Sequence, residues 1–247
     1  MAIHDSTSQR LFVEANLHGG ASFDASDEQL NYLVRVLRMG AGDTVLVFNG
    51  RDGEWRAGLA NVGKRSCQLI VDDQVRNQSY GPDITYLFAP LKRARLDYMV
   101  QKAVELGVRR LVPVLTRRTV AERVNLDRLR ANAIEAAEQC GILHVAEIAE
   151  PVKFDRLLAD WDAGRLLIFC DEGAPIADPI AALLPLQGHP LAVLIGPEGG
   201  FDDHERGLVR AQPYATAISL GPRIMRADTA AIAALALVNA AIGDWKA

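Results

Sequence analysis

Two loops near the C-terminus contain residues that could bind a ligand and act on it. The first, LIGPEGGF (Leu194 to Phe201), directly follows an apolar strand. In an open parallel sheet, ligands bind beyond the carboxyl ends of the strands, and glycines let backbone groups approach a ligand closely. A simple strand-to-helix turn capped by Asp202 or Asp203 would use similar residues, so this motif alone leaves both interpretations open.

The second loop is SLGPRIMRADTAA (Ser219 to Ala231), which joins a strand to the final helix. It places Arg223 and Arg226 beside Asp228 and Thr229, which can cap that helix. Two guanidiniums and a carboxylate are costly to bury unless they bind something. The alternative is an internal Arg–Asp pair that only fixes the loop. A dinucleotide site fits less well, because the glycines lack G-x-G-x-x-G spacing.

The elements that position both loops follow an α/β pattern, in which apolar runs alternate with amphipathic helices. The predicted strands are Ile84 to Ala89, Leu111 to Leu115, Arg165 to Cys170, Leu191 to Ile195 and Ala217 to Leu220. They are apolar throughout, as parallel strands covered on both faces should be. The last helix, from about Asp228 to Asp244, is too apolar to face water and should pack inside the domain or against another subunit.

The N-terminal part has a different pattern. Three short strands, Thr44 to Phe48, Glu54 to Asn61 and Ser66 to Val71, are separated by hairpin signals. A helix is predicted from Ser26 to Met39. The sequence therefore predicts a small β-barrel domain over residues 1–75, a linker over 76–83 and an α/β domain over 84–247.

Composition and charge limit the classes of function. The chain has 247 residues, of which 49% are hydrophobic and 23% charged, as in a globular protein. No apolar run is long enough to span a bilayer, and the N-terminus lacks a secretory signal, so a cytoplasmic location and no membrane association are predicted. Three cysteines and five histidines without ligand spacing predict no metal.

The net charge of -4 conceals a division along the chain. Residues 1–130 have a net charge of +4, and residues 131–247 have a net charge of -8. The basic side chains are densest from Arg109 to Arg130, where seven guanidiniums could follow a phosphate backbone. A solvated surface is the other interpretation of this composition.

The two C-terminal loops resemble the cofactor loops of SPOUT methyltransferases. IGPEGGF (Ile195 to Phe201) followed by LGPRIMRADTA (Leu220 to Ala230) is close to the RsmE family, which methylates N3 of a uridine in small-subunit (16S) ribosomal RNA. VLRMGAGDTVLVFNG (Val36 to Gly50) resembles the PUA-like barrel of that family. LDYMVQKAVELGV (Leu96 to Val108) and EQCG (Glu138 to Gly141) resemble its knotted domain, so the similarity spans nearly the whole chain.

The resemblance implies a fold, a cofactor and a dimer. The C-terminal domain would be a SPOUT-type parallel-sheet domain with a trefoil knot, preceded by the PUA-like barrel, and the protein would work as a homodimer. S-adenosyl-L-methionine (SAM) would bind in the knot. The implied cofactor-binding residues are Leu194, Ile195, Gly196, Pro197, Glu198, Gly199, Gly200, Ser219, Leu220, Gly221, Ile224, Met225, Arg226, Thr229 and Ala230.

The resemblance also implies catalytic roles. Arg226 or Arg223 would stabilise negative charge on the base, while Asp228 or Glu198 would orient the arginines or accept the proton. Contacts to ribosomal RNA or the small subunit are predicted for basic side chains on the barrel and nearby faces. These residues are Arg10, Arg35, Arg38, Lys64, Arg65, Lys92, Arg93 and Arg95.

Three positions depart from the family pattern. Tyr32 replaces a usual histidine, Ile142 replaces a usual arginine after EQCG, and Asp228 replaces a usual glutamate. Two other functions stay open at this point. One is a SPOUT enzyme that methylates the ribose 2′-OH of transfer or ribosomal RNA, and the other is a non-catalytic RNA-binding assembly factor that has kept the fold.

Overall fold

The computed structural model describes residues 8–120, 123–175 and 178–246, and only the backbone of Arg93 and Lys246. The chain forms two compact units. The first comprises the chain through Tyr80 together with Ala137–Val145, and the second comprises Gly81–Ala136 and the chain from Ala146 onward. These units differ from the predicted linear domains because residues 137–145 group with the N-terminal part of the chain.

The first unit contains a five-stranded sheet. Its strands are β1 (Arg10–Phe12), β2 (Ser22–Asp24), β3 (Thr44–Phe48), β4 (Glu54–Ala60) and β5 (Gln68–Arg76). They are ordered β1-β3-β4-β5-β2, and only the β1/β3 pair is parallel. The three hairpin strands predicted from the sequence are present, although β5 continues past its predicted end at Val71.

One short helix packs against the core of this sheet. Helix α1 (Asp27–Leu30) begins with a capping box, in which the Ser26 hydroxyl accepts the N–H of Gln29 and the Gln29 amide oxygen accepts the N–H of Ser26. It continues as a π-helical segment, Asn31–Val36. The predicted helix was longer; Arg38 adopts a φ of 59°, which right-handed helix does not allow.

A buried ion-pair network ties the segment 137–145 into the first unit. The Arg10 guanidinium contacts the Glu54 carboxylate at 2.6 Å, and Arg76 contacts the same carboxylate at 2.7 Å. Arg10 also donates to the carbonyls of Glu138 (2.8 Å) and Ile142 (3.0 Å). Because Arg10 is only 8% exposed and fully engaged, the prediction that it contacts RNA is wrong.

The second unit contains a parallel sheet, as predicted. Its strands are β6 (Ile84–Phe88), β7 (Arg110–Leu115), β8 (Glu147–Ile148), β9 (Val152–Lys153), β10 (Leu166–Cys170), β11 (Leu191–Ile195) and β12 (Ala215–Ile218). The order is β12-β10-β11-β6-β7-β8, with β9 also paired to β7. Strand β12 lies two residues earlier than the prediction of Ala217 to Leu220.

Six helices alternate with these strands along the described chain. They are α2 (Arg93–Glu105), α3 (Leu126–Cys140), α4 (Phe154–Ala159), α5 (Pro179–Leu183), α6 (Asp203–Arg210) and α7 (Ala227–Ile242). Helices α2 and α7 pack together, and the buried face of α7 includes Ala234, Leu235 and Val238. Along the described chain, no helix combines the length and apolar character that a membrane crossing requires.

Candidate active site

A cavity of about 390 Å³ lies in the second unit at the carboxyl ends of β10 and β11. Its walls include residues from both loops singled out in the sequence, so the glycine loop after β11 and the arginine loop after β12 meet in space. The volume falls within the range of about 300–1,000 Å³ that is usual for small-molecule sites. The position agrees with the rule that open parallel sheets bind ligands beyond the carboxyl ends of their strands.

Most of the predicted cofactor-binding residues line this cavity. They are Ile195, Gly196, Pro197, Glu198, Gly200, Leu220, Gly221, Ile224, Met225, Arg226 and Ala230. The predicted residues that do not line it are Leu194, Gly199, Ser219 and Thr229. Leu194 is fully buried in β11, so its side chain supports the sheet.

The glycine loop is tightly packed where it leaves β11. A Cβ on Gly196 would lie 2.6 Å from the ring of Phe201, which is itself buried and packs against Phe169 with ring centroids 5.1 Å apart. The loop then turns through Gly200, whose φ is +69°. This close approach of backbone to an aromatic ring explains why a glycine is required at position 196.

The helix after the loop begins with a capping box. The Asp202 carboxylate accepts the N–H of Glu205 at 2.7 Å, and the Glu205 carboxylate accepts the N–H of Asp202 at 3.2 Å. Asp202 is therefore the cap that the sequence suggested, whereas Asp203 is the first helical residue. The turn thus starts a helix and also lines a cavity, so the two interpretations of this motif are compatible.

Three arginines hold the glycine loop in place. Arg118 donates to the carbonyl of Gly199 at 2.7 Å, and Arg95 forms an ion pair with Glu198. Arg117 forms an ion pair with Asp202 at 3.0 Å. The sequence interpretation of the basic stretch from Arg109 to Arg130 as a phosphate track therefore does not describe Arg117 and Arg118, which position the candidate site.

The arginine loop presents two exposed guanidiniums. Arg223 and Arg226 both line the cavity, and within the described residues neither forms an ion pair. The internal Arg–Asp pair that was the alternative interpretation of this loop is therefore not found among the described residues. Ile224 between them is 89% exposed, and Gly221 has a φ of +104°. The loop therefore has cationic groups free to contact an anionic or polar ligand.

Helix α7 starts one residue before the predicted cap. Its N-cap is Arg226, and the prediction that Asp228 or Thr229 caps the helix is wrong, because both lie within its first turn. The Asp228 carboxylate accepts the N–H of Thr229 at 2.9 Å. Asp228 does not line the cavity, whereas Glu198 does. A negative charge in a first helical turn is stabilised by the helix dipole, which gives Asp228 a structural role.

Besides the glycine loop and the arginine loop, the cavity has a third wall that the sequence did not predict. It is formed by Cys170, Asp171 and Glu172 at the end of β10 and by Arg206 of α6. Two carboxylates directly after a wholly apolar strand are the signal that could have revealed this wall. Strand order was the missing information, because β10 lies between β11 and β12 only in the folded sheet.

Two ionisable groups, Cys170 in the cavity wall and Tyr86 in β6, are kept neutral by desolvation. Burial, together with the charge of Asp171, raises the pKa of the Cys170 thiol to about 12. Burial, together with the charges of Cys170 and Asp228, raises the pKa of Tyr86 well above its ordinary value. The Tyr86 hydroxyl donates to the Met99 sulfur at 3.0 Å. Neither group is therefore an acid or base near neutral pH.

Four basic side chains that were predicted to contact RNA are exposed on the first unit. Arg35 and Lys64 line a groove of about 540 Å³ whose apolar wall includes Leu30, Val34 and Val62. Arg38 and Arg65 are also exposed. Across the described parts of the chain, none of these four cations forms an ion pair, so their charges are available to a partner.

The remaining RNA predictions have mixed outcomes. Lys92 is exposed, and Arg95 is half-buried in its pair with Glu198. The side chain of Arg93 lies outside the described residues. Among the family departures, the Tyr32 hydroxyl donates to the Gln9 side chain at 3.1 Å, and the Ile142 carbonyl accepts from Arg10.

The described residues contain no group of three or more histidine, cysteine, aspartate or glutamate side chains arranged to hold a metal ion. The parallel sheet and its carboxyl-end cavity, lined by a glycine loop and an arginine loop, define an α/β protein with a cavity of small-molecule size next to unpaired cationic groups of the described chain. Such a site suits an enzyme that acts on a polyanionic substrate.

Comparison with known families identifies the group of enzymes. Residues 79–239 match the family model described as RNA methyltransferase domain, and residues 25–72 match that described as RNA methyltransferase PUA domain. The chain therefore belongs to the RNA methyltransferase family of the RsmE type. This confirms the family resemblance noted in the sequence and the predicted PUA-like and parallel-sheet architecture.

Individual relatives agree. The chain is 29% identical over 232 residues to ribosomal RNA small subunit methyltransferase E of Rickettsia conorii, covering 93% of this chain and 94% of that protein. It is 32% identical over 238 residues to the protein of that name from Synechocystis, covering 94% and 77% of the two chains.

Solved structures show the same similarity. The structure of a Legionella pneumophila methyltransferase in complex with SAM has a TM-score of 0.83 and 28% identity, and covers 96% of this chain and 99% of that one. The ribosomal RNA small subunit methyltransferase E of Neisseria gonorrhoeae, bound to SAM, has a TM-score of 0.82 and 25% identity with the same coverage.

Proposed function

We propose that this protein transfers the methyl group of SAM to N3 of a uridine in small-subunit ribosomal RNA. The observation that supports this most directly is that the glycine loop and the arginine loop line one cavity, with two guanidiniums on its wall that form no ion pair among the described residues. SAM-dependent methylation of ribosomal RNA agrees with the relatives named small subunit methyltransferase E and with the SAM-bound neighbours. The position N3 rests on the family resemblance.

The residues present fit SAM. Gly196 brings backbone close to a buried ring, and Gly200 and Gly221 adopt positive φ values, so the loops offer backbone groups without side-chain obstruction. Backbone around Gly196, Leu220 and Met225 would hold the adenine. When bound, SAM supplies a methyl group already activated on a sulfonium, so the protein mainly positions the base and manages its proton.

Arg226 and Arg223 would stabilise the negative charge that develops on the uridine as N3 loses its proton. Both are exposed cavity residues without ion-pair partners in the described chain, so no internal interaction must be broken first. Of the two candidate carboxylates, Glu198 is better placed than Asp228 to accept the proton, because only Glu198 lines the cavity. Its partner Arg95 holds it at the loop.

The test of this function is Arg226→Ala, assayed on small ribosomal subunits that lack the modification. We expect turnover to be abolished while calorimetric affinity for SAM stays within about 3-fold of wild type, because the lost interaction belongs to the transition state. Arg156→Ala is the matched control, since Arg156 is an exposed arginine of α4.

The outcomes separate the competing functions. Near-normal activity of the Arg226→Ala variant would remove Arg226 from the mechanism. Nucleoside mass spectrometry of the product distinguishes methylation of uridine N3 from methylation of a ribose 2′-OH. A wild-type protein that does not bind SAM would instead be a non-catalytic RNA-binding factor.

We assign RNA capture to the cationic groove of the first unit. Lys92, which is exposed in the second unit, is a separate candidate contact. Replacing Arg35 and Lys64 with alanine should weaken RNA binding and reduce the slope of log affinity against log salt by about 1–2, because phosphate contacts release counterions. Replacing Arg51 and Arg56 with alanine provides a matched control, since it removes two positive charges from the same unit outside the groove. Affinity that does not change with salt would contradict the assignment. The homodimer, the trefoil knot and the cytoplasmic location stay predictions.

A further inference from the structure

The turn after β10 is held rigidly beside the cavity. The Asp171 side chain is only 1% exposed and contacts two arginines of α6, Arg206 at 3.3 Å and Arg210 at 2.6 Å. It also accepts the N–H of Gly173 at 2.9 Å, which closes the turn. Asp171 is thus ion-paired to two arginines of α6 and closes the turn, so it fixes the backbone that presents the next residue, Glu172.

Glu172 presents its carboxylate to the cavity and to the glycine loop. Its side chain is 60% exposed and lines the cavity. One carboxylate oxygen lies 3.6 Å from the position that a Cβ would occupy on Gly200. Within the part of the chain that the structure describes, its ion-pair partner is Arg206, 3.5 Å away, at the outer limit of a hydrogen bond. The carboxylate therefore retains capacity to accept hydrogen bonds from a ligand.

The other acidic groups that line the cavity have closer ion pairs than Glu172. Asp171 is buried between two arginines, and Glu198 is paired with Arg95. Glu172 is thus the lining carboxylate with the weakest internal interaction. A ligand that offers hydrogen-bond donors to this wall would find its acceptor there.

We propose that Glu172 binds the ribose hydroxyls of SAM and selects for the ribonucleoside form of the cofactor. This inference rests on the proposed function. With the adenine held by backbone around Gly196, Leu220 and Met225, the adjoining sugar would reach the wall that Glu172 shares with Gly200. A carboxylate at the end of a parallel strand is chemically suited to this task, because its two oxygens accept from a vicinal diol and charge-assisted hydrogen bonds are strong.

The test compares Glu172→Gln with wild type by calorimetry, using S-adenosylhomocysteine and 5′-methylthioadenosine as probes. The second probe keeps the ribose but lacks the amino acid. We expect Glu172→Gln to weaken binding of both probes by about 10-fold, which corresponds to about 1.4 kcal/mol. Glu150→Gln, which removes one exposed carboxylate elsewhere, should bind both probes as wild type does.

A 2′-deoxy analogue of 5′-methylthioadenosine sharpens the result. Wild type should bind it about 10-fold more weakly than the ribose form, whereas Glu172→Gln should bind both forms alike. Glu172→Asp, which keeps the charge but shortens the reach, should lose less affinity than Glu172→Gln and serves as a second variant.

Two results would overturn the inference while leaving the proposed function intact. One is unchanged binding of both probes by Glu172→Gln. The other is a loss for S-adenosylhomocysteine alone, since the carboxylate would then contact the amino acid part. If wild type binds neither probe nor SAM, the proposed function itself fails.

Discussion

Substitution of Gly196 by alanine should distort the candidate site, because the new Cβ would be too close to a buried aromatic ring. The new Cβ would lie 2.6 Å from one atom of the Phe201 ring and 2.9 Å from another, so the closer contact is 0.8 Å short of the 3.4 Å at which ordinary contact begins. Phe201 is 5% exposed and packs against Phe154 and Phe169, so its ring has little freedom to move away.

The expected cost is an overpacking penalty. Inserting a methyl group into a packed core typically costs about 1–3 kcal/mol, and we expect Gly196→Ala to destabilise the protein by about 2 kcal/mol. The φ of Gly196 is not positive, so the cost arises from contact and not from backbone strain. Because the loop must shift to relieve the contact, SAM affinity should fall by about 10-fold or more.

Equilibrium urea unfolding measures the stability, and calorimetry measures SAM binding. Gly207→Ala is the matched control, since Gly207 lies exposed in α6 and its Cβ would meet nothing within 4 Å. There alanine should stabilise by up to about 1 kcal/mol through helix propensity. Equal stability and SAM affinity of Gly196→Ala and wild type would refute the packing argument.

Two further predictions concern ionisable groups. Burial acts to raise the pKa of Glu54, but hydrogen bonds from Arg76 and Arg10 outweigh it, so the pKa lies below the ordinary value. Its stabilising contribution is therefore complete above the ordinary glutamate pKa and is lost as the pH falls through the lower folded value. Glu54→Gln should lower the free energy of unfolding by about 3 kcal/mol at pH 7 and by less in acid. Denaturant titrations at pH 7 and pH 3 measure this difference, and an equal loss at both pH values would contradict the reasoning. Cys170 is half-buried in the cavity wall, and the pKa of its thiol is raised to about 12. It should therefore react with iodoacetamide at pH 8 much more slowly than the exposed Cys140, and equal alkylation by mass spectrometry would contradict the raised pKa.

The strands that the sequence predicted well are continuous apolar runs. Strands β3, β6 and β11 are runs of five residues that are almost wholly buried, and their boundaries follow from apolar residues ending at turn signals. Strands β8 and β9 have two residues each, which is too short for any period to register. Such strands form because a neighbouring edge offers backbone partners, which is tertiary information.

The sequence predicted the parts of the candidate site that directly follow a strand in sequence. It did not predict the part that a neighbouring strand brings to the site in the folded sheet. The glycine and arginine loops could be found because each directly follows an apolar strand. Glu172 could not be joined to them, because only the placement of β10 beside β11 brings it there. Arg10 was misassigned because an isolated basic residue in sequence does not reveal that Glu54 and the carbonyls near residue 140 surround it.

The interleaving of the two units along the chain has a consequence for biosynthesis. Arg10 meets its acceptors at Glu138 and Ile142 across separations of 128 and 132 residues. A ribosome must therefore release more than half of the polypeptide before the N-terminal unit can satisfy its buried cation, and long-range closure of this kind slows folding. A nascent chain arrested before residue 137 should present an incomplete, protease-sensitive N-terminal unit. The first unit of this protein can therefore be completed only after the second unit's first segment has been synthesised.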